Sequence, residues 1–96
     1  MQEKSEISPQ MIRAWLVLQN SSTWLTNNEI AEQAQISART ARMYTKYLFD
    51  LMLVDKLETF PGHKFKLCDN ADKRNPSAYA RLETFKQTYL NNFTLR

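Results

Sequence analysis

The sequence carries two helix-start signals only eleven residues apart, at Thr26 and Ser37. Thr26 and Glu29 form a capping-box pattern, in which the hydroxyl accepts a backbone N–H three residues on and the carboxylate accepts the N–H of the cap. Ser37 ends a turn of three residues and caps a second helix. Because two short helices joined by so tight a turn must cross steeply, the chain is predicted to contain crossed helices over 27–34 and 38–52.

The predicted helix over 38–52 has one apolar side and one basic side. At about 100° per residue, the apolar side comprises Ala41, Tyr44, Thr45, Leu48 and Met52. The opposite side comprises Arg39, Arg42, Met43, Lys46 and Asp50. Since no acidic residue precedes Asp50 on this helix, the exposed face is expected to be positive and to suit a nucleic acid. A solvated helix face without a ligand is the alternative.

The composition bounds the class of protein. With 96 residues, 43% of them hydrophobic, the chain suits one small domain with a single core. The net charge of +3 is mild, so its position matters more than its sum. A single cysteine excludes an internal disulfide and indicates a reducing compartment. The chain has no apolar run of the ~20 residues that a membrane helix needs and no signal peptide, so a cytoplasmic protein without membrane contact is expected.

Two further elements precede and follow the crossed helices. Ser8 and Pro9 begin a first helix that ends near Asn20, and the loop after it is expected to return Trp24 and Leu25 to the core. Apolar segments on either side of Pro61-Gly62 predict a β-hairpin, with Gly62 where a turn requires positive φ. The hairpin residues expected to pack inward are Phe60, Phe65 and Leu67.

A C-terminal helix is predicted to begin at Pro76. Its apolar positions form a stripe at steps of three and four, comprising Tyr79, Leu82, Phe85, Tyr89, Leu90 and Phe93. The stripe could pack on its own domain, against the helix of Trp15, or pair with the same helix of a second copy. Because exposed aromatic stripes are a liability in monomers, we favour a homodimer.

The resulting order predicts a mainly α fold with a small β-hairpin. Residues 8–68 resemble the winged helix-turn-helix family of DNA-binding proteins. The residues that carry the likeness are EIAEQAQIS at 29–37, RTAR at 39–42, Leu48, Leu53-Val54 and PGHKFKL at 61–67. The resemblance implies a winged helix-turn-helix domain over 8–68 with an additional C-terminal helix. The other segments are then a flexible amino terminus at 1–7, a linker at 69–75 and a probable dimerisation element at 76–96.

The sequence departs from the family pattern at two positions. Gln35 stands where many relatives have glycine in the turn, and Met52 stands where a glycine commonly ends the recognition helix. Each departure requires an ordinary residue to accept a strained or altered backbone.

The resemblance implies contacts with double-stranded DNA through the third helix. A helix fits the major groove, where arginine can make two bonds to guanine, worth roughly 1–3 kcal/mol of discrimination. In such motifs the N-terminal part of this helix reaches the bases, so Arg39 and Arg42 are expected to read them. Thr40 and Met43 lie beside these arginines, and Met43 could meet a thymine methyl group.

The remaining predicted DNA contacts are to phosphates, which set register without carrying sequence information. Ser37 and Lys46 are placed for this role on the helix. His63 and Lys64 are placed for it on the wing, because related wings reach the adjacent minor groove or the backbone. A solvated loop is the alternative for His63.

The chain offers little for catalysis or cofactor binding. Cys68 closes an apolar strand and is expected to act as a small buried hydrophobe. One His and one Cys cannot form a zinc site at ordinary spacing, and no glycine-rich loop can hold a nucleotide. We therefore expect no enzyme, no metal, no cofactor and no small-molecule ligand.

The sequence thus predicts a sequence-specific double-stranded DNA-binding protein, a homodimeric transcriptional regulator. A plasmid or phage protein that coats a DNA array, such as a partition adaptor, is the first alternative. A winged-helix module that binds protein and no nucleic acid is the second. RNA binding is less favoured, because the aromatic residues are not arranged on a sheet as stacking platforms.

Overall fold

Five helices and a small sheet make up the fold in the computed structural model, which describes residues 7–94, with the side chains of 93 and 94 outside the description. The elements are α1 (Pro9–Asn20), β1 (Leu25–Thr26), α2 (Asn27–Ala34), α3 (Ala38–Asp50), β2 (Val54–Leu57), β3 (Lys64–Leu67), α4 (Ala71–Arg74) and α5 (Pro76–Thr94). The strands form one antiparallel sheet in the order β1-β3-β2. The predicted fold class, mainly α with a β wing and an additional C-terminal helix, is confirmed.

The first three helices begin where their capping signals place them. Ser8 Oγ accepts a first-turn backbone N–H of α1 at 3.2 Å. The capping box of α2 closes in both directions: the Thr26 N–H donates to Glu29 Oε1 at 2.8 Å, and the Glu29 N–H donates to Thr26 Oγ1 at 3.1 Å. Ser37 Oγ accepts the N–H of Thr40 at 3.0 Å in α3. Each cap satisfies a donor that the first helical turn leaves without an intrahelical partner.

The two departures from the family pattern coincide with the two non-glycine residues of positive φ in the described chain. Gln35 has φ 60° and Met52 has φ 67°. Gln35 ends α2, where the N–H of Ile36 bonds back to the Ala31 carbonyl at 3.0 Å. Met52 does not lie on the apolar side of α3 as predicted. The helix ends at Asp50, and Met52 turns outward, 49% exposed.

The core lies between α1, the crossed helices α2 and α3, the sheet and α5. Its largest fully buried side chains are Trp15, Ile12, Leu18, Ile30, Leu48, Leu53, Val54, Leu82 and Thr45. Ile7, the last residue of the segment predicted to be a flexible amino terminus, packs half-buried against this core. Residues 1–6 of that segment lie outside the described residues.

The C-terminal helix α5 is docked on α1. The ring of Tyr79 meets that of Trp15 edge to face, with 5.7 Å between centroids. Glu83 Oε2 accepts bonds from Trp15 Nε1 at 3.0 Å and Gln19 Nε2 at 2.7 Å, and Glu83 Oε1 lies 2.8 Å from Lys86 Nζ. Burial alone would raise the pKa of the Glu83 carboxyl, but hydrogen bonds from Lys86, Trp15 and Gln19 outweigh it and lower the pKa. Packing on its own first helix, one of the two arrangements left open above, is therefore present.

The wing differs from the predicted hairpin in its turn. β2 and β3 pair along their whole length and leave a loop over 58–63 in place of a tight turn. Phe65 is buried as predicted, but Phe60 is 96% exposed. The strand ends at Leu57, so Phe60 lies in the loop and has no sheet to pack on. Gly62 does not adopt positive φ, so the predicted need for glycine in this turn is wrong.

Two short elements were not predicted. β1 pairs with β3 and places Leu25 opposite Phe65. α4 lies inside the segment 69–75 that the sequence predicts as a linker. It is tied to the wing by Arg74, whose Nη1 donates to Asp55 Oδ1 at 3.1 Å. Both elements depend on contacts that are distant in the chain, which periodicity cannot reveal.

Candidate nucleic-acid interface

The exposed side of α3 carries the basic residues that the sequence assigned to it. Arg39, Arg42 and Lys46 are exposed, and Met43 beside them is 58% exposed. Within residues 7–94, no hydrogen bond or ion pair of the structure engages either guanidinium. A surface of this kind retains its donors for an external acceptor.

The opposite side of α3 is fixed by a buried polar contact as well as by packing. Ala41, Thr45 and Leu48 are buried there. Thr45 Oγ1 donates to Asn27 Oδ1 at 2.7 Å and lies 3.1 Å from the Arg42 carbonyl. Since Asn27 is the first residue of α2, this bond holds the middle of α3 against the start of α2. The direction in which the basic face points is therefore set by the helix pair itself.

The N-terminal turn of α3 uses its two hydroxyls internally. Ser37 Oγ accepts the backbone N–H of Thr40 and also donates to Thr40 Oγ1 at 2.8 Å. Thr40 is half-buried, whereas Ser37 is exposed. Ser37 therefore serves first as a helix cap, and its position at a helix N-terminus favours a nearby anion.

Lys46 has an internal partner. Its Nζ lies 3.2 Å from Asp50 Oδ2, in an i,i+4 pair whose side chains are 77% and 60% exposed. Exposed helix pairs of this kind contribute only about 0.3–0.5 kcal/mol. The ammonium can therefore exchange the carboxylate for a phosphate at small cost.

A groove separates α3 from the wing loop. It has a volume of about 530 Å³ and is bordered by Arg42, Lys46, Phe49, Lys56 and His63, among others. His63 thus faces α3 across this groove. Lys64 is half-buried in β3 and does not border it, so the two predicted wing contacts occupy different surroundings.

Lys56 is a basic residue of this groove that the sequence did not single out. It lies on β2, and its Nζ is 4.8 Å from the centroid of the Phe49 ring, a cation–π contact. The contact joins the wing to the last turns of α3. Lys56 reaches the groove because β2 packs beside the end of α3. The alternation of side chains along the strand does not indicate this position.

The predicted dimerisation residues are divided between the core and the surface. Leu82 is buried, and Tyr79 and Tyr89 pack half-buried against the core. Leu90 is half-buried, and Phe85 is 41% exposed. The side chain of Phe93 lies outside the described residues. Much of the stripe is thus occupied within the chain, which leaves Phe85 as its exposed large side chain.

Other kinds of site find little support in the described chain. Among residues 7–94, no three His, Cys, Asp or Glu side chains are grouped so that they could hold a metal ion. No helix in this part of the chain is long and apolar enough to cross a membrane. Cys68 is buried, and burial together with neighbouring Asp55 raises the pKa of its thiol.

Comparison with known proteins identifies the fold. No family model and no curated protein matches the sequence. Sso10a-2, a DNA-binding protein from Sulfolobus solfataricus, is similar in structure with a TM-score of 0.61 and 11% identity, covering 92% of this chain and 86% of that one. MepR, a transcription regulator of the Staphylococcus aureus multidrug efflux pump MepA, has a TM-score of 0.54 and 16% identity, covering 88% of this chain and 64% of that one.

A complex of MepR from S. aureus with DNA is similar as well, with a TM-score of 0.54 and 16% identity, covering 92% of this chain and 73% of that one. The chain spans less than two thirds of the MepR chain in the first of these structures. At such identities the likeness establishes the fold alone. That fold is the winged helix-turn-helix, with α3 in the position of the recognition helix and β2–β3 as the wing.

Proposed function

We propose that this protein binds double-stranded DNA sequence-specifically, with α3 in the major groove and the wing segment 60–65 on the adjacent backbone. The observation that carries the proposal is the exposed face of Arg39, Arg42 and Lys46 on a helix whose other side is held by the core. A solved complex of MepR with DNA, which shares this fold, adds support.

The spacing of the two arginines suits base reading. Arg39 and Arg42 are three residues apart, which is about 4.5 Å along a helix axis. Successive base pairs are about 3.4 Å apart, so the two guanidinium groups can address neighbouring base pairs. Each can bond in a fork to O6 and N7 of guanine, whereas Met43 offers an apolar contact to a thymine methyl.

The other polar residues of this surface suit phosphate contacts. Ser37 stands at the N-terminus of α3, and Lys46 lies further along the same helix. His63 lies across the groove from Lys46, and Lys56 adds a charge on β2. Contacts at both borders of the groove would fix the register of α3 on the duplex.

We further propose that the protein is a homodimeric transcriptional regulator. Phe85 on α5 is exposed although it belongs to an otherwise largely packed apolar stripe, and a second α5 is the partner that such a residue fits. Two recognition helices related by a two-fold axis would read half-sites about one DNA turn apart. MepR, which shares the fold, is a transcription regulator.

Fluorescence anisotropy of the protein on a mixed-sequence duplex, at roughly 50 and 200 mM salt, tests DNA binding. We expect affinity to fall steeply with salt, because phosphate contacts release counterions. Arg39→Ala and Arg42→Ala should each weaken binding to a selected site about 10-fold or more. Arg81→Ala, which removes the same charge from an exposed position of α5, should not weaken it. Absence of binding at low salt, or equal losses in all three variants, would overturn the proposal.

A further inference from the structure

Phe60 is the most exposed large hydrophobic residue of the described chain. It is 96% exposed, whereas Met43, Met52, Leu57, Phe49 and Phe85 are exposed by 39–58%. It lies in the wing loop 58–63, where the Thr59 hydroxyl donates to the Gly62 carbonyl and closes the loop on itself. The loop therefore presents the ring of Phe60 and the adjacent Pro61 outward, and almost none of the ring is covered by the part of the chain that the structure describes.

The surroundings of Phe60 indicate what kind of partner it meets. Pro61, Gly62 and His63, which follow it, border the groove that faces Arg42 and Lys46 on α3. The wing itself carries Lys56, Lys64 and Lys66, against the acids Asp55 and Glu58. An aromatic tip beside such a groove suits a partner that offers phosphates at its edge and flat apolar surface within. The minor groove of DNA offers both, because its walls are the sugar–phosphate backbone and an opened base step exposes the flat faces of two bases.

We propose that Phe60 is a wedge that enters the minor groove next to the major groove occupied by α3 and partly unstacks one base step. Apolar side chains that act in this way kink the duplex toward the major groove. Pyrimidine–purine steps such as TA unstack most easily, so Phe60 confers a preference for such a step outside the bases that α3 reads. This inference rests on the proposed DNA binding and adds a specificity-determining residue to it.

The test uses a duplex selected from a random pool by the wild-type protein, carrying 2-aminopurine at the step under the wing and a fluorophore pair at its ends. Binding of the wild type should raise the 2-aminopurine fluorescence and shorten the end-to-end distance. Phe60→Ala should lose both signals and bind about 10-fold more weakly. Phe60→Leu, which keeps an apolar wedge, should retain most of each signal.

Two control variants separate the wedge from other effects. Leu57→Ala removes an exposed apolar side chain from the same wing, away from the tip, and should leave bending unchanged. Lys64→Ala should reduce the slope of log affinity against log salt by about 1, whereas Phe60→Ala should leave this slope unchanged because no charge is lost. Replacement of the TA step by AA should weaken wild-type binding and have no effect on Phe60→Ala.

The outcomes distinguish this inference from the function on which it rests. Failure of the wild type to bind any duplex would overturn both. Binding with Arg39-dependent specificity, but with equal bending and affinity in Phe60→Ala, would overturn the wedge and leave the DNA-binding function intact. A change in molar mass of the DNA-free protein on Phe60→Ala would show that the ring contacts a second copy, which also overturns the wedge.

Discussion

Thr45 of α3 donates a hydrogen bond to the side-chain oxygen of Asn27, the first residue of α2, at 2.7 Å. Thr45 is the buried polar residue of an otherwise apolar core. Asn27 is half-buried, and a hydrogen bond of this kind contributes about 0.5–1.5 kcal/mol to stability. The bond therefore stabilises the domain and helps to fix the orientation of the basic face of α3 relative to α2.

Thr45→Val should lower the free energy of unfolding by about 1–2 kcal/mol, because the isosteric side chain keeps the packing and removes the donor. Urea denaturation followed by circular dichroism measures the loss. Thr88→Val is the matched control. Thr88 is exposed and its hydroxyl donates only to the Thr84 carbonyl within α5, so a change within about 0.5 kcal/mol is expected. Equal stability of the two variants would show that the Thr45–Asn27 bond contributes nothing.

Gln35→Gly should stabilise the protein by about 1 kcal/mol, since an L-residue at φ 60° bears a cost that glycine does not. The gain should appear as a higher urea midpoint with an unchanged m-value. Gln33→Gly, two residues earlier inside α2, should instead destabilise by about 1 kcal/mol, as glycine does in a helix interior. A loss of stability in Gln35→Gly would contradict the role assigned to the left-handed turn.

Glu83 should make the stability depend on pH. Its folded-state pKa is lowered from 4.5 by bonds from Lys86, Trp15 and Gln19 that outweigh its burial. A carboxyl with a depressed folded pKa stabilises the fold above its unfolded pKa, and this contribution is lost as pH falls through the folded value. Stability should therefore fall below about pH 4.5, and less so in Glu83→Gln.

Urea titrations between pH 3 and pH 7 test this dependence, with Glu32→Gln on the exposed side of α2 as the control. The difference between wild type and Glu83→Gln should be present at pH 7 and should shrink toward pH 3. A difference that is independent of pH would mean that ionisation of Glu83 is not coupled to folding.

Phe85→Asp should convert a dimer into a monomer in light scattering after size-exclusion chromatography, because it places a charge in the proposed α5 interface. Thr84→Asp introduces the same charge at the exposed preceding residue and should leave the mass unchanged. DNA affinity should fall in Phe85→Asp alone, since two linked half-sites bind more tightly than one. A monomeric wild-type protein would contradict the proposed dimer and would leave the proposed DNA contact of α3 unaffected.

The local signals of the sequence located the elements that close over a few residues. The side chains of Ser8, Thr26 and Ser37 each accept a backbone N–H three residues on, so the chain near them determines the start of the helix. The basic side of α3 was likewise predictable, because helical periodicity alone separates Arg39 from Ala41. These are the parts of the fold and of the candidate interface in which sequence neighbours are also neighbours in space.

Features that depend on contacts between residues far apart in the sequence were not predicted. Phe60 was assigned to packing because it follows a strand pattern, yet the length of the pairing between β2 and β3 leaves it in the loop. Lys56 was not assigned to the interface, since its place beside Phe49 follows from how the wing meets α3. Met52 was assigned to the core by extending the helical period past Asp50, where α3 ends, to the residue at which the backbone is left-handed.

The pairing of β1 with β3 gives the interface a fixed span. Thr26 pairs with Lys64 of the wing and caps α2, and the next residue, Asn27, holds α3 through Thr45. No residue lies between Thr26 and Asn27, so the spacing between the wing and α3 is set by these two adjacent contacts. For the proposed DNA contact, this fixed spacing is expected to favour a duplex whose groove width matches it.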